Sequence, residues 1–337
     1  MQDNRTGTHC TSSDGPRLAA KLRSYAGTRV VVVGHVRPDG DCIGAQVALT
    51  RVLRAIGADA VAVNEHTVPR TQKGFVGDTP FFQPKDVADL ESRTVISVDC
   101  ASFKRLGEAV RARIAPVSLN IDHHISNERF AAENFIYAKA CATSEVLACL
   151  FLDHGFPVDA VTAQALYVGI ATDTGQFKFA STTAHSFELC CDLMARGADP
   201  AAAARDLYEN ESVAKIRLLT AFLQSLRFEF GGAACIGILP EAAFDSTGAS
   251  REDVEGLVDY ARDIEGVRIG ACLEFHPHSV KGSLRAKDAA LRVDLLAAKF
   301  GGGGHAAAAG FNCEMTPETF YPALIEAIGE TLAAARR

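Results

Sequence analysis

The chain reads as an α/β protein in two domains: a parallel sheet with helices on both faces, then a smaller domain with a mixed sheet. Three observations point there. Its 337 residues are enough for two ordinary domains. The first half alternates strand-length apolar runs with helical patterns, as a parallel sheet with crossover helices requires. A long helical pattern beginning at Ser212 then separates this half from a region where strands follow one another more closely. The expected partition is a disordered leader at 1–16, a Rossmann-like domain at 17–197, a helical connector at 198–229 and a smaller α/β domain at 230–337.

Each element has its own signal. The run RVVVVG from Arg29 to Gly34 is continuous and β-branched, the pattern of a strand covered on both faces. A helix follows from about Cys42 to Ile56, with Gly57 placed as its C-terminal stop. Strands are expected at Ala60–Asn64, Thr94–Asp99 and Pro116–Ile121, and helices at 143–154, 159–171, 183–196 and 200–209. The connector pattern, Ser212 to about Phe228, carries Ile216, Leu218, Leu219, Phe222, Leu223 and Leu226. Beyond it come a strand at Ala233–Leu239, a helix at Glu252–Ile264 and strands within Val267–Ala286. A helix from Leu291 runs into Gly301–Gly304, and a terminal helix spans Pro317–Ala334.

Composition narrows the function. Apolar residues make up 48% of the chain, yet no apolar run reaches the roughly 20 residues that span a bilayer. The polar start, with Asp3 and Asp14, lacks the basic, apolar and cleavage segments of a signal peptide, so a cytoplasmic protein is expected. Ten cysteines include no C-x-x-C pair and sit mostly in apolar patterns, so reduced core thiols are expected. The formal charge of -7 disfavours binding of long nucleic acid through its phosphates. Small anionic substrates remain compatible with it.

The chemistry gathers where elements end. His35-Val-Arg-Pro-Asp39-Gly-Asp41 stands between the first strand and its helix, at the edge where parallel sheets bind ligands. Strand Val95–Val98 runs into Asp99, strand Val117–Ile121 into Asp122-His123-His124, and a helix into Asp173. Any one of these acids could be a helix cap or turn former. Together they would repel one another at a single edge unless a cation offset the charge. A metal site is therefore expected. Carboxylates and imidazoles without thiolates suit Mn²⁺, with Mg²⁺ or Co²⁺ as alternatives. Five or six ligands suit two ions with a shared carboxylate, an arrangement for in-line displacement at phosphorus.

The order HxxPDxD, Asp at a strand end, DHH, then Asp after a helix resembles the DHH phosphoesterase superfamily. The segment Gly301-Gly-Gly-Gly-His305-Ala-Ala-Ala-Ala-Gly310-Phe is similar to the glycine-rich motif of the DHH-associated C-terminal domain. The nearest look is to the stand-alone NrnA-type branch, which acts on very short RNA and on 3'-phosphoadenosine 5'-phosphate. The resemblance implies that His35 and Asp39 hold one ion, Asp41, His123 and Asp173 the other, and Asp99 both. It further implies that Asp122 orients His123 while His124 faces the substrate phosphate.

In the second domain the glycine run is either a flexible helix stop or a backbone that approaches a phosphate, with His305 adding a donor. The family comparison favours the latter and implies substrate contacts from Ser283, Arg285, Gly302, Gly303, Gly304 and His305. Ala286 stands where a serine is usual. Arg105 is either a phosphate contact or a surface arginine; Thr143-Ser144-Glu145 reads as a helix cap. Phe177 and Phe179 lie in a strand pattern as base stackers or core. The expected partners are short RNA or DNA oligonucleotides and small nucleotides, not long duplexes or membranes, and a homodimer is expected from the apolar helices. The alternatives are a cyclic dinucleotide phosphodiesterase, a RecJ-like single-strand exonuclease, and a nucleotide-binding regulator without turnover.

Overall fold

The structure is a computed structural model that describes residues 14–335. It divides into two compact units that part between Asn210 and Glu211. The leader expected at 1–16 lies outside the described residues as far as Ser13. Asp14 is the N-cap of helix α1 (Gly15–Arg23), whose Leu18, Ala19 and Leu22 are fully buried. The expected connector is not one element. Helix α7 (Pro200–Tyr208) belongs to the first unit and helix α8 (Val213–Gln224) to the second.

The first unit is built on six parallel strands: β1 (Arg29–Val33), β2 (Asp59–Val63), β3 (Phe81–Phe82), β4 (Thr94–Val98), β5 (Val117–Asp122) and β6 (Glu133–Ile136). Their order is β3-β2-β1-β4-β5-β6. Helices α2 (Gly40–Ala55), α3 (Glu108–Arg111), α4 (Thr143–Asp153), α5 (Ala160–Asp173) and α6 (Ala184–Ala195) complete it with α1 and α7. The β-branched run explains itself here. Val30 and Val32 pack into one core with Leu49, Leu147 and Leu166, while Val31 and Val33 pack into another with Leu90 and Leu106. Each such side chain withdrawn from water contributes about 1.5–3 kcal/mol. The direction in which successive strands are added reverses between β1 and β4. The carboxyl ends of that pair form the crevice where open sheets place ligands.

The second unit is a six-stranded mixed sheet in the order β11-β12-β10-β9-β8-β7. The strands are β7 (Arg227–Glu229), β8 (Ala234–Pro240), β9 (Ile269–Phe275), β10 (Val280–Ala286), β11 (Gly303–His305) and β12 (Ala308–Cys313). Only β8 and β9 run parallel; the other neighbours are antiparallel. Helices α11 (Val293–Ala298) and α12 (Pro317–Ala334) cover one face, where Leu284, Leu296, Phe320 and Ile328 meet. Helices α9 (Glu241–Thr247) and α10 (Leu257–Asp263) join α8 on the other, with Phe222, Phe244 and Leu257. The predicted helix 252–264 is thus interrupted, and α10 begins only after Gly256, which has φ 84°. No helix among the described residues is long and apolar enough to cross a membrane. All nine described cysteines are free thiols.

Candidate metal centre

His35 follows the carboxyl end of β1, Asp99 that of β4, and His123 and His124 that of β5. Asp39 and Asp41 stand at the start of α2, and Asp173 closes α5. The fold brings all of them to one place. His35 Nε2 lies 3.6 Å from Asp39 Oδ2 and 3.4 Å from Asp99 Oδ2. His123 Nε2 lies 3.7 Å from Asp99 Oδ1 and 3.2 Å from Asp173 Oδ2. Asp41, His123 and Asp173 offer donor atoms within 4.8 Å of one another. Asp99 therefore touches both groups, one around His35 and one around His123.

The backbone is shaped to do this. Asp99 holds a left-handed φ of 49° and Arg37 one of 53°, conformations that cost free energy for residues with side chains and collect at functional sites. Asp39 is both a ligand candidate and a helix cap: its Oδ1 accepts the Cys42 amide at 3.0 Å, leaving Oδ2 toward His35. Asp41, fully buried, accepts the backbone amides of Thr143 at 2.6 Å and Ser144 at 2.8 Å. These are orphan donors at the start of α4, and its dipole favours a carboxylate there. Gly169 makes room for this contact, because a Cβ on it would come 2.0 Å from Ser144 Oγ and 2.7 Å from Asp41 Oδ1.

Both central imidazoles are oriented by a backbone carbonyl. His35 Nδ1 bonds to Val36 O at 2.9 Å and His123 Nδ1 to Ala140 O at 3.2 Å. With the Nδ1 proton donated there, each neutral ring would turn the Nε2 lone pair toward carboxylates. That arrangement is repulsive unless a cation or a proton lies between. Titration shows the same tension. Burial disfavours a charged His35, yet Cys42, Asp39 and Asp99 outweigh it and raise its pKa well above the ordinary value. Burial is likewise outweighed at His123, which Asp173, Asp99 and Asp41 push up to about 11. Burial, then Asp99 and Asp173, push Asp41 well up, and burial with Asp39 and Asp99 lifts Asp173 to about 6. At Asp99 burial is overcome by His35, His124 and His123, which hold the carboxyl far below its usual range. A donor set of carboxylates and imidazoles frustrated in this way fits divalent metal. Cys42 also lies near His35 and Asp99, but burial pushes its thiol up to about 11, away from the thiolate a metal needs.

Asp122 departs from expectation. It does not orient His123: its Oδ1 lies 2.7 Å from His124 Nδ1, and its Oδ2 accepts Asn127 Nδ2 at 2.6 Å. Residues two apart in an extended segment share a face, which pairs Asp122 with His124 and sends His123 the other way. Three further contributors went unread in the sequence. Thr143 Oγ1 donates to Asp99 Oδ1 at 3.0 Å, Asn64 Nδ2 to His35 O at 3.0 Å, and His66 Nδ1 accepts the Arg37 amide at 2.8 Å. Thr143-Ser144-Glu145 therefore does more than cap a helix; the N-cap itself is Ala142. Arg105 lends its carbonyl to the Val36 amide at 2.7 Å, and its side chain is exposed. The strand pattern at Phe177 and Phe179 is a turn instead.

In the second unit the glycine run is neither a loose stop nor an open loop. Gly301 ends α11's extension, and Gly303–His305 forms edge strand β11, paired with β12. Gly302 is needed because a Cβ there would strike Gly310 O at 2.2 Å. The register aligns Arg285, Ala308 and His305 in one cross-strand row, and Ser283, Gly310 and Gly303 in the next. Paired residues share a face. Arg285 and Ser283 on β10 thus stand on the same face as His305, with only a methyl group and a glycine between. This makes a shallow trough whose exposed far edge is Gly303, Gly304 and His305. Arg285 is partly buried, its Nη1 donating to Leu284 O at 3.1 Å, and burial lowers its pKa despite Asp259 nearby. Ala286 points the other way, into the core.

Comparison with known proteins gives the geometry its context. Residues 29–170 match the DHH family, N-terminal domain, and residues 234–334 match the DHHA1 domain. The bifunctional oligoribonuclease and PAP phosphatase NrnA of Thermus thermophilus is 29% identical over 320 residues, covering 95% of each chain. The Bacillus subtilis protein of that name is 26% identical over 292 residues, 83% of this chain and 88% of its own. An exopolyphosphatase-related protein from Bacteroides fragilis superposes with a TM-score of 0.88 at 23% identity, covering 97% of this chain and 98% of that one.

Proposed function

The chain belongs to the DHH family and carries its DHHA1 domain, and on that premise we propose a metal-dependent phosphoesterase that shortens very small oligonucleotides from the 5' end to mononucleotides. Linear dinucleotides such as pApA and 3'-phosphoadenosine 5'-phosphate are its substrates, in keeping with the printed activities of its NrnA relatives. The observation that carries the reading is the convergence on Asp99 of acids and imidazoles from separate segments, with both imidazoles fixed by backbone carbonyls.

His35 and Asp39 would hold one divalent ion, Asp41, His123 and Asp173 a second, and Asp99 both; Mn²⁺ suits the donors best. Ions bound there would supply Lewis acidity, making water a nucleophile near neutral pH and offsetting charge on phosphoryl oxygens. The protein's own part is orientation and proton supply. Asp122 holds the Nδ1 side of His124, so that Nε2 is the position that meets substrate. As the water oxygen bonds to phosphorus, the bond to the ribose oxygen breaks, and His124 gives that oxygen its proton. Arg285, Ser283, His305 and the open backbone of Gly302, Gly303 and Gly304 would take a second anionic group, for which a guanidinium is suited. Arg105, exposed beside the Val36 loop, would contact phosphate near the cluster.

The test is a kinetic panel with Mn²⁺: pApA, a 5-mer RNA, 3'-phosphoadenosine 5'-phosphate and a 50-mer. We expect kcat/KM on the dinucleotide to exceed that on the 50-mer by roughly an order of magnitude or more, since every 1.4 kcal/mol of discrimination is tenfold. Comparable values would refute the length preference. Absence of all turnover would favour the binding regulator.

A further inference from the structure

The turn after Asp173 is left-handed in three consecutive residues: Gly175, Gln176 and Phe177 have φ of 56°, 61° and 62°. Two of these carry side chains, for which such angles are unfavourable, and strain of this kind persists where the surroundings impose it. Here they do. The Gln176 amide donates to Ala171 O at 2.7 Å and the Phe177 amide to Thr174 Oγ1 at 3.1 Å. The Phe177 ring stacks on Phe187 at 5.0 Å and 26° and lies 6.3 Å from Tyr167. Thr174, wholly buried, anchors the turn to α5 through Ile170 O at 2.6 Å.

The consequence falls on Phe179. Its amide donates to Thr174 O at 3.0 Å, and its ring folds over Gly175, where an added Cβ would come within 2.4 Å of it. The ring is still 42% exposed. Gly175 is two residues from Asp173, so at about 3.8 Å per residue the ring stands on the order of 10 Å from the acidic cluster. Beside it Lys178 is exposed and forms no ion pair among the described residues. The two phenylalanines thus have different employment: Phe177 holds the turn, and Phe179 offers a flat apolar face next to a free cation.

Resting on the phosphoesterase reading above, we propose that Phe179 is a specificity-determining residue: it stacks a nucleobase of the substrate while the adjoining phosphate lies at the acidic cluster. A nucleotide is the ligand that presents a flat π face and an anion within that reach, and base–aromatic stacking tolerates any base. The enzyme would accordingly discriminate nucleotides from phosphodiesters that lack bases.

The experiment compares pApA with the analogue whose two adenines are replaced by hydrogen, using the full chain with Mn²⁺. Wild type is expected to favour pApA by about tenfold or more in kcat/KM, the usual scale of base–aromatic stacking. Phe179→Ala and Phe179→Leu should lose most of that preference through KM, leaving turnover of the base-free analogue unchanged; Phe179→Trp should retain it. A preference that survives in Phe179→Ala, or an equal loss on both substrates, overturns the inference. Equal use of both substrates by wild type overturns it while leaving the phosphoesterase reading intact. If wild type cleaves neither, both fall.

Discussion

The two units meet charged ligands by opposite means. In the first, Asp41, Asp99, Asp122 and His35 are almost completely buried, and each is fixed by backbone or side-chain hydrogen bonds. In the second, Arg285 and His305 flank a trough made by leaving side chains out, at Ala308, Gly310 and Gly303. A buried set of like charges is viable only with compensating cations, so the first centre is committed to metal chemistry. An exposed trough needs no such compensation and lends itself to recognition. Making bonds and choosing substrates are accordingly separable by mutation.

The widest separation should come from Asp99. Asp99→Ala removes the carboxylate shared by both groups around His35 and His123. Loss of residues that merely orient metal ligands costs 10–100-fold, so we expect kcat/KM to fall on the order of 10³ or more on every substrate. The assay is bis-p-nitrophenyl phosphate hydrolysis beside pApA hydrolysis. Activity within tenfold of wild type would break the contrast at its root.

The next effect separates the units by pH. In the metal-free protein His35 is held protonated well above its ordinary range and His123 up to about 11. Metal requires neutral Nε2 atoms, so ions displace protons at neutral pH. The sign follows: raising pH favours the metal-ready form. Apparent Mn²⁺ affinity should climb between pH 6 and 8, by up to about tenfold per unit for each imidazole that gives up a proton. Calorimetry in buffers of different ionisation enthalpy should show proton release. Nothing in the trough of the second unit imposes that slope. A pH-independent Mn²⁺ affinity would contradict the frustrated donor set.

Legibility in the sequence follows the same divide. The four central strands were readable because Val30–Val33 and their neighbours are β-branched runs covered on both faces. Strand ends carrying acids then marked the centre. Hidden from view were elements whose residues have low strand preference or little length: β11 and β12 are glycine- and alanine-rich, and β3 has two residues. The Asp122–His124 pairing was within reach, since alternation along a strand end places them on one face, whereas family analogy pointed to His123. The hold of Thr143 and Ser144 on Asp41 could not be read at all. It joins residues 102 and 103 positions apart through backbone amides, which every sequence possesses.

The smallest effects come from two adjacent residues of β10 that the pleat sends to opposite faces. Arg285 faces the trough, and Ala286, 6% exposed, packs with Leu284, Leu291 and Leu296. Arg285→Ala should raise KM for pApA about tenfold, as loss of a charge-assisted contact of 1.5–3 kcal/mol implies, without changing bis-p-nitrophenyl phosphate turnover. Arg285→Lys should recover only part, because an ammonium lacks the planar fork. Ala286→Ser restores the residue usual in related chains, yet its hydroxyl would point into apolar core. It should cost about 1–3 kcal/mol in urea denaturation and leave KM within about twofold. If instead Ala286→Ser tightened pApA binding, the face assigned to the trough would be wrong, and recognition would reach through the sheet to the core side.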